Sequence, residues 1–152
     1  MQLLNVSFGI LAFLPQGWVF MILIILLEAC IMSRVLEKKW LKARVFVSAL
    51  VANGVSGILG IVISMMLNGG WWLVVWFPWV SSHEVDVYKP KALFGLIVYY
   101  VAAMVLSVLI EWALNHIILR KNYPAREILK STLCANAASY ALGAVIITLL
   151  CI

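Results

Sequence analysis

Four residues of this chain have the types and spacing to do chemistry in an apolar setting: Glu28, Asn53, Glu111 and Asn136. Each glutamate interrupts a long apolar run that holds no other charge. A carboxyl group buried in lipid costs from about 2.5 kcal/mol upward on insertion scales, so such residues turn inward and find partners. An asparagine amide is a suitable partner, because its two N–H groups donate to carboxyl oxygens. Two uses follow. The Glu–Asn pairs are either structural polar clamps between helices or the elements of a proton or cation site.

The two pairs are copies of each other. The stretch from Leu26, LLEACIMSRVLEKKWLKARVFVSALVANGVSGILG, aligns without a gap to the stretch from Leu109, LIEWALNHIILRKNYPAREILKSTLCANAASYALG. Every residue is displaced by 83 positions, so Glu28 falls on Glu111, Ser48 on Ser131, Asn53 on Asn136, Ser56 on Ser139 and Gly60 on Gly143. Self-similarity at one offset is the mark of a structural unit used twice. Each unit is an acidic apolar helix, a basic turn and an apolar helix carrying Asn.

Composition supplies the medium. Of the 152 residues, 66% are hydrophobic and 11% are charged, against about a quarter charged in a soluble domain. The expectation is an all-α membrane protein. It has four transmembrane helices, formed by two parallel-repeat helical hairpins, with a Trp-rich interfacial loop between them. A single membrane domain is divided into repeat 1 over about 17–68, the loop over about 69–91, and repeat 2 over about 92–152. The spans fall at about 17–36, 45–68, 92–119 and 128–152, each near the ~20 residues that a bilayer core requires. Met1 to Gln16 is apolar but broken by Gly9 and Pro15. It lacks the basic start of a cleavable signal peptide and reads as a retained interfacial segment.

Nine of the eleven Lys and Arg residues lie in the stretches 34–44 and 120–130. The positive-inside rule then puts both stretches in the cytoplasm and both termini on the far side of a bacterial inner membrane. The two hairpins share one orientation, related by an axis along the membrane normal. Short basic turns between spans give no folded basic face, so nucleic acid is not expected as a partner.

Helices joined by a short turn are antiparallel neighbours. Glu28 lies eight residues before Leu36 and Asn53 eight after Val45, so both sit about 12 Å in from the same surface at 1.5 Å per residue. They are expected to meet, as are Glu111 and Asn136. Asn53, Ser56, Gly57, Gly60 and Ser64 form a small, polar stripe on the second helix, and Asn136, Ser139, Tyr140 and Gly143 a looser one on the fourth. The small residues Ser56, Gly57, Gly60, Ser139 and Gly143 predict close helix packing there. Ser107, Glu111 and Asn115 share one face of the third helix.

Other signals are weaker. Trp71, Trp72, Trp76 and Trp79 crowd the outer loop as an aromatic belt or a contact surface for a partner protein, a lipid or a quinone headgroup. His116, one turn from the surface, reads as a snorkelling residue. Cys30, Cys134 and Cys151 form no CxxC pair and read as small packing residues. No nucleophile–base set, phosphate loop or paired histidine is present, so neither catalysis nor a metal or other cofactor is expected.

The pattern of an apolar helix with Glu28, a basic turn, and then A-N-x-x-S-x-x-x-G through Ala52, Asn53, Ser56 and Gly60 resembles small bacterial four-helix membrane proteins of the cyanobacterial filament-integrity type. That resemblance implies a structural or assembly role at a membrane junction. The expected function is therefore a non-catalytic accessory or assembly subunit, packed against other membrane subunits or against itself as a homo-oligomer. The alternative is a small transporter or proton-coupled channel using Glu28 and Glu111.

Overall fold

The computed structural model describes residues 15–67 and 90–151. These form four helices and, among the described residues, no strand: α1 (Pro15–Glu37), α2 (Ala43–Leu67), α3 (Pro90–Leu119) and α4 (Ala125–Cys151). Residues 1–14 and the loop holding Trp71, Trp72, Trp76 and Trp79 lie outside the described residues.

Two of the helices, over Val19–Glu37 and Tyr100–Leu119, are long and apolar enough to cross a membrane by length and composition, and Ala43–Leu59 is a shorter apolar helix. α1 and α2, and likewise α3 and α4, are joined by turns shorter than the two basic stretches of the sequence. Arg34, Arg44, Arg126 and Lys130 belong to helical turns rather than to the connections.

Local chemistry accounts for the ends. Lys38 adopts a left-handed φ of 57° and its N–H reaches the carbonyl of Arg34 at 3.1 Å, an αL stop one residue past α1. The Arg34 guanidinium returns to the carbonyl of Lys38 at 2.8 Å. Ser33 Oγ accepts the N–H of Lys42 at 3.1 Å just before α2 begins, which occupies one of the donors a helix start leaves unmet. Proline opens α3 and immediately precedes α4, where its missing N–H removes no helical bond.

The helices form a ring in chain order. α1 packs on α2 and α4, and α3 packs on the same two, so α1 and α3 are diagonal, as are α2 and α4. That is the arrangement expected of two like hairpins about a two-fold axis down the bundle. The interior is layered. Nearest the two short turns it is apolar, with Val45, Leu119 and Ile128 fully buried. Further in it becomes polar, and Glu28, Ser48, Glu111, Asn115, Ser131, Thr132 and Asn136 are all buried. Large apolar side chains such as Ile22, Leu23, Ile58, Val101, Leu109 and Val145 face outward.

Candidate functional site

Both Glu–Asn pairs are made, with the same geometry. Asn53 Nδ2 donates to Glu28 Oε2 at 2.7 Å, and Asn136 Nδ2 donates to Glu111 Oε2 at 2.7 Å. Each amide also reaches the carbonyl one turn back on its own helix, Ala49 at 3.0 Å and Thr132 at 3.2 Å. The second anchor fixes the side chain before it meets the carboxyl group. Glu28 and Glu111 are 2% and 3% exposed, so these contacts stand in for the water that the carboxyls have lost.

The pairs are joined to each other. Ser56 Oγ lies 2.9 Å from Glu111 Oε1 and 3.2 Å from the carbonyl of Asn53, linking α2 to the carboxyl of the opposite repeat. The carboxyl groups of Glu28 and Glu111 lie close enough inside the bundle to act on each other electrostatically. Ser139, the counterpart of Ser56, instead donates to the carbonyl of Asn136 at 3.0 Å on its own helix. The two-fold is therefore broken at this level, and Glu111 holds the more connected carboxyl.

One turn nearer the short turns lies a centre that the sequence did not single out. Asn115 accepts from Ser48 Oγ at 2.6 Å, donates to Thr132 Oγ1 at 3.1 Å, and contacts Met32 Sδ at 3.8 Å. A single side chain on α3 thus touches all three other helices. Its only signal in the sequence was its place four residues after Glu111 on one face.

Further from the turns, Ser107 Oγ lies 2.9 Å from Tyr140 Oη. The Tyr100 hydroxyl donates to the carbonyl of Tyr140, with the two rings edge-on and 5.2 Å apart. Gly143 is buried beneath that hydroxyl, and a Cβ there would stand 2.7 Å from Tyr100 Oη. The glycine admits an aromatic side chain here rather than a neighbouring backbone.

Gly57 departs from expectation. It is exposed, and a Cβ at Gly57 would meet nothing within 4 Å. The buried arc of α2 runs through Val45, Ser48, Ala49 and Ala52. Gly57, five positions past Ala52, is turned about 140° from it at ~100° per residue. Ser56 falls within the arc, whereas Gly57 lies outside it. The surroundings of Gly60 and Ser64 lie outside the described residues.

His116 also differs from the snorkelling expectation. Its ring stacks on Trp112, with centroids 6.1 Å apart. Its Nδ1 is buried without a hydrogen-bond partner among the described residues, as are Trp112 Nε1 and Asn136 Oδ1. Cys134 is exposed on α4 rather than packed.

At the turn end, Glu37 bonds Lys42 Nζ at 2.8 Å and accepts the hydroxyl of Tyr123, while Arg44 reaches Asn122 Oδ1. These contacts tie the two turns together. Burial, then the hydrogen bond to Glu37 and the charge of that group, push the Tyr123 phenol up to about 12. Among the described residues, no three His, Cys, Asp or Glu side chains gather as a metal site would need. Compared with family models, curated proteins and solved structures, the chain matches none.

Proposed function

We propose that this chain is a non-catalytic, multi-pass subunit of a bacterial inner membrane. In this reading its interior polar network holds two helical hairpins together, while its outer faces meet lipid, other membrane subunits or a second copy of itself. The observation that carries the reading is the division between inside and outside. The buried polar side chains are tied to neighbouring helices, as with Glu28 to Asn53 and Asn115 to Ser48 and Thr132. The exposed side chains include Val19, Phe94, Ile97 and Leu142. Water rewards the reverse arrangement, and lipid rewards this one.

All four helices cross the membrane in this reading. α4 carries no charge after Lys130, and its remaining length is about 30 Å at 1.5 Å per residue. The basic turns then face the cytoplasm, with both termini on the other side. The likeness to filament-integrity proteins in Glu28, Ala52, Asn53, Ser56 and Gly60 adds an assembly role. The test is native mass spectrometry of the protein extracted from its own membrane in mild detergent. A stable complex with other subunits or copies is expected, and a lone monomer would overturn the assembly role.

A second reading has its own observation. The carboxyls of Glu28 and Glu111, one from each repeat, are both buried inside the bundle and close enough to act on each other electrostatically, and inward-facing acids of this kind are what a proton-coupled channel or transporter uses. Replacing both with Gln abolishes a flux in that reading and leaves assembly intact. Contact with a lipid or quinone headgroup at Trp71–Trp79 belongs to residues outside those described.

A further inference from the structure

The short-turn end of the bundle carries a feature that neither the clamp nor a proton site uses. Trp40 is 75% exposed and Leu41 51% exposed, at the tip of the connection between α1 and α2. Lys38 and Lys39 precede them and are exposed. The Arg34 guanidinium lies over the Trp40 ring, 5.3 Å from its centroid, and gives only part of its N–H set to the carbonyl of Lys38. The facing turn adds Arg120 and Lys121, both exposed, with Arg126 and Lys130 on the first turns of α4. The contacts from Glu37 to Tyr123 and from Arg44 to Asn122 hold the two turns side by side.

The charge here is not internally balanced. Among the described residues there is one ion pair, Lys42 with Glu37. Among the described residues, Arg34, Lys38, Lys39, Arg120 and Lys121 form no ion pair, and Lys39 acts on Glu37 only at a distance. Apolar and cationic side chains thus protrude together at the end of helices whose flanks are apolar. A soluble acidic protein would satisfy the cations and leave Trp40 and Leu41 unserved. An anionic phospholipid offers both a phosphate for the cations and an acyl boundary for the indole.

We infer that the turn from Lys38 to Lys42, together with Arg120 and Lys121, is a binding site for anionic phospholipid headgroups. Trp40 and Leu41 enter the interface, and Arg34, stacked on Trp40, turns its free N–H groups to the phosphate. The inference rests on the membrane reading above, with this end at the headgroup level.

The test reconstitutes the full chain into nanodiscs of phosphatidylcholine alone and of phosphatidylcholine mixed with phosphatidylglycerol. The lipids retained after release into mild detergent are then counted by native mass spectrometry. Wild-type protein is expected to retain phosphatidylglycerol above its share of the bilayer, and to lose that preference as salt is raised. The preference should fall roughly fivefold per cation removed at low salt, so a Lys38→Gln/Lys39→Gln/Arg120→Gln/Lys121→Gln variant should lose most of it. These side chains are exposed and form no ion pair among the described residues, and the helix content of the variant should match wild type. Equal retention of both lipids by wild type, or undiminished preference in the variant, overturns the site while leaving the membrane reading intact. Failure to enter nanodiscs of either composition overturns the membrane reading, and the site with it.

Discussion

Met32 and Asn115 occupy the same position in successive repeats, and they touch each other: Asn115 Nδ2 lies 3.8 Å from Met32 Sδ. Equivalent residues meet only at a two-fold axis, so this contact locates the axis one turn from the level of Glu28 and Glu111. Duplication has put a thioether and an amide on opposite sides of it. The amide then recruits Ser48 and Thr132, and the centre of the bundle becomes polar on one side only.

Asn115→Leu, similar in volume, is expected to destabilise the protein by about 1–2 kcal/mol, because two buried hydroxyls lose a partner and interhelical hydrogen bonds in membranes are individually modest. Asn115→Met restores the symmetry of the repeat but leaves the same hydroxyls unmet, and should cost a similar amount. Thermal unfolding in one detergent measures both. No loss in either variant would show that the hub is dispensable.

The buried carboxyl acceptors predict different results from two substitutions. Glu111→Ala removes the acceptor of Asn136 and Ser56 and should cost about 1–3 kcal/mol. A single Gln at either position keeps an acceptor for the neighbouring amide. Glu28→Gln or Glu111→Gln should therefore stay within about 1 kcal/mol of wild type. A single Gln variant that melts as early as Glu111→Ala would mean that an amide oxygen cannot replace the carboxyl as acceptor for the neighbouring asparagine.

The helices and the Glu–Asn pairs were legible in the sequence for a physical reason. Antiparallel helices joined by a short turn place residues by counting alone, and the repeat supplied the count twice. The helices, Pro15–Glu37 and Ala43–Leu67 among them, begin two or three residues before the sequence spans and end within one residue of them. Proline at a first turn and the left-handed Lys38 set the true ends. What could not be read was rotation and ring order. A small-residue stripe on α2 covers a wide angle, and only the neighbours decide that Ser56 faces Glu111 while Gly57 faces outward. The reach of Asn115 to three helices depends on α3 lying diagonal to α1, which no single-helix pattern encodes.

The glycines offer a contrast between two sites of one chemistry. Gly143→Ala should destabilise the protein, because its Cβ would stand 2.7 Å from a Tyr100 hydroxyl already held by the carbonyl of Tyr140. Tyr100→Phe removes the obstructing oxygen, so the double variant should recover most of the loss attributable to the clash. Gly57→Ala meets open space and should be neutral or stabilising by up to about 1 kcal/mol, from helix propensity. Equal destabilisation by the two alanines would place an unseen neighbour against Gly57.

Tyr123 gives a pH dependence with a definite sign. Its phenol is held up to about 12 in the folded protein, chiefly by burial and by its bond to Glu37, against about 10 in an unfolded chain. A group whose folded value is raised contributes stability that is fully present below its unfolded value and is lost as pH climbs to the folded one. Stability should therefore be flat in this respect below about pH 10 and fall between about 10 and 12, as the unfolded chain releases a proton that the native chain keeps. Tyr123→Phe should remove that component of the slope. At neutral pH it should cost no more than about 1 kcal/mol, since the hydroxyl bonds to a half-buried carboxylate that Lys42 still engages. Unfolding followed across this pH range in wild type and variant decides the matter, because identical slopes would mean that the bond between the two turns does not persist in solution.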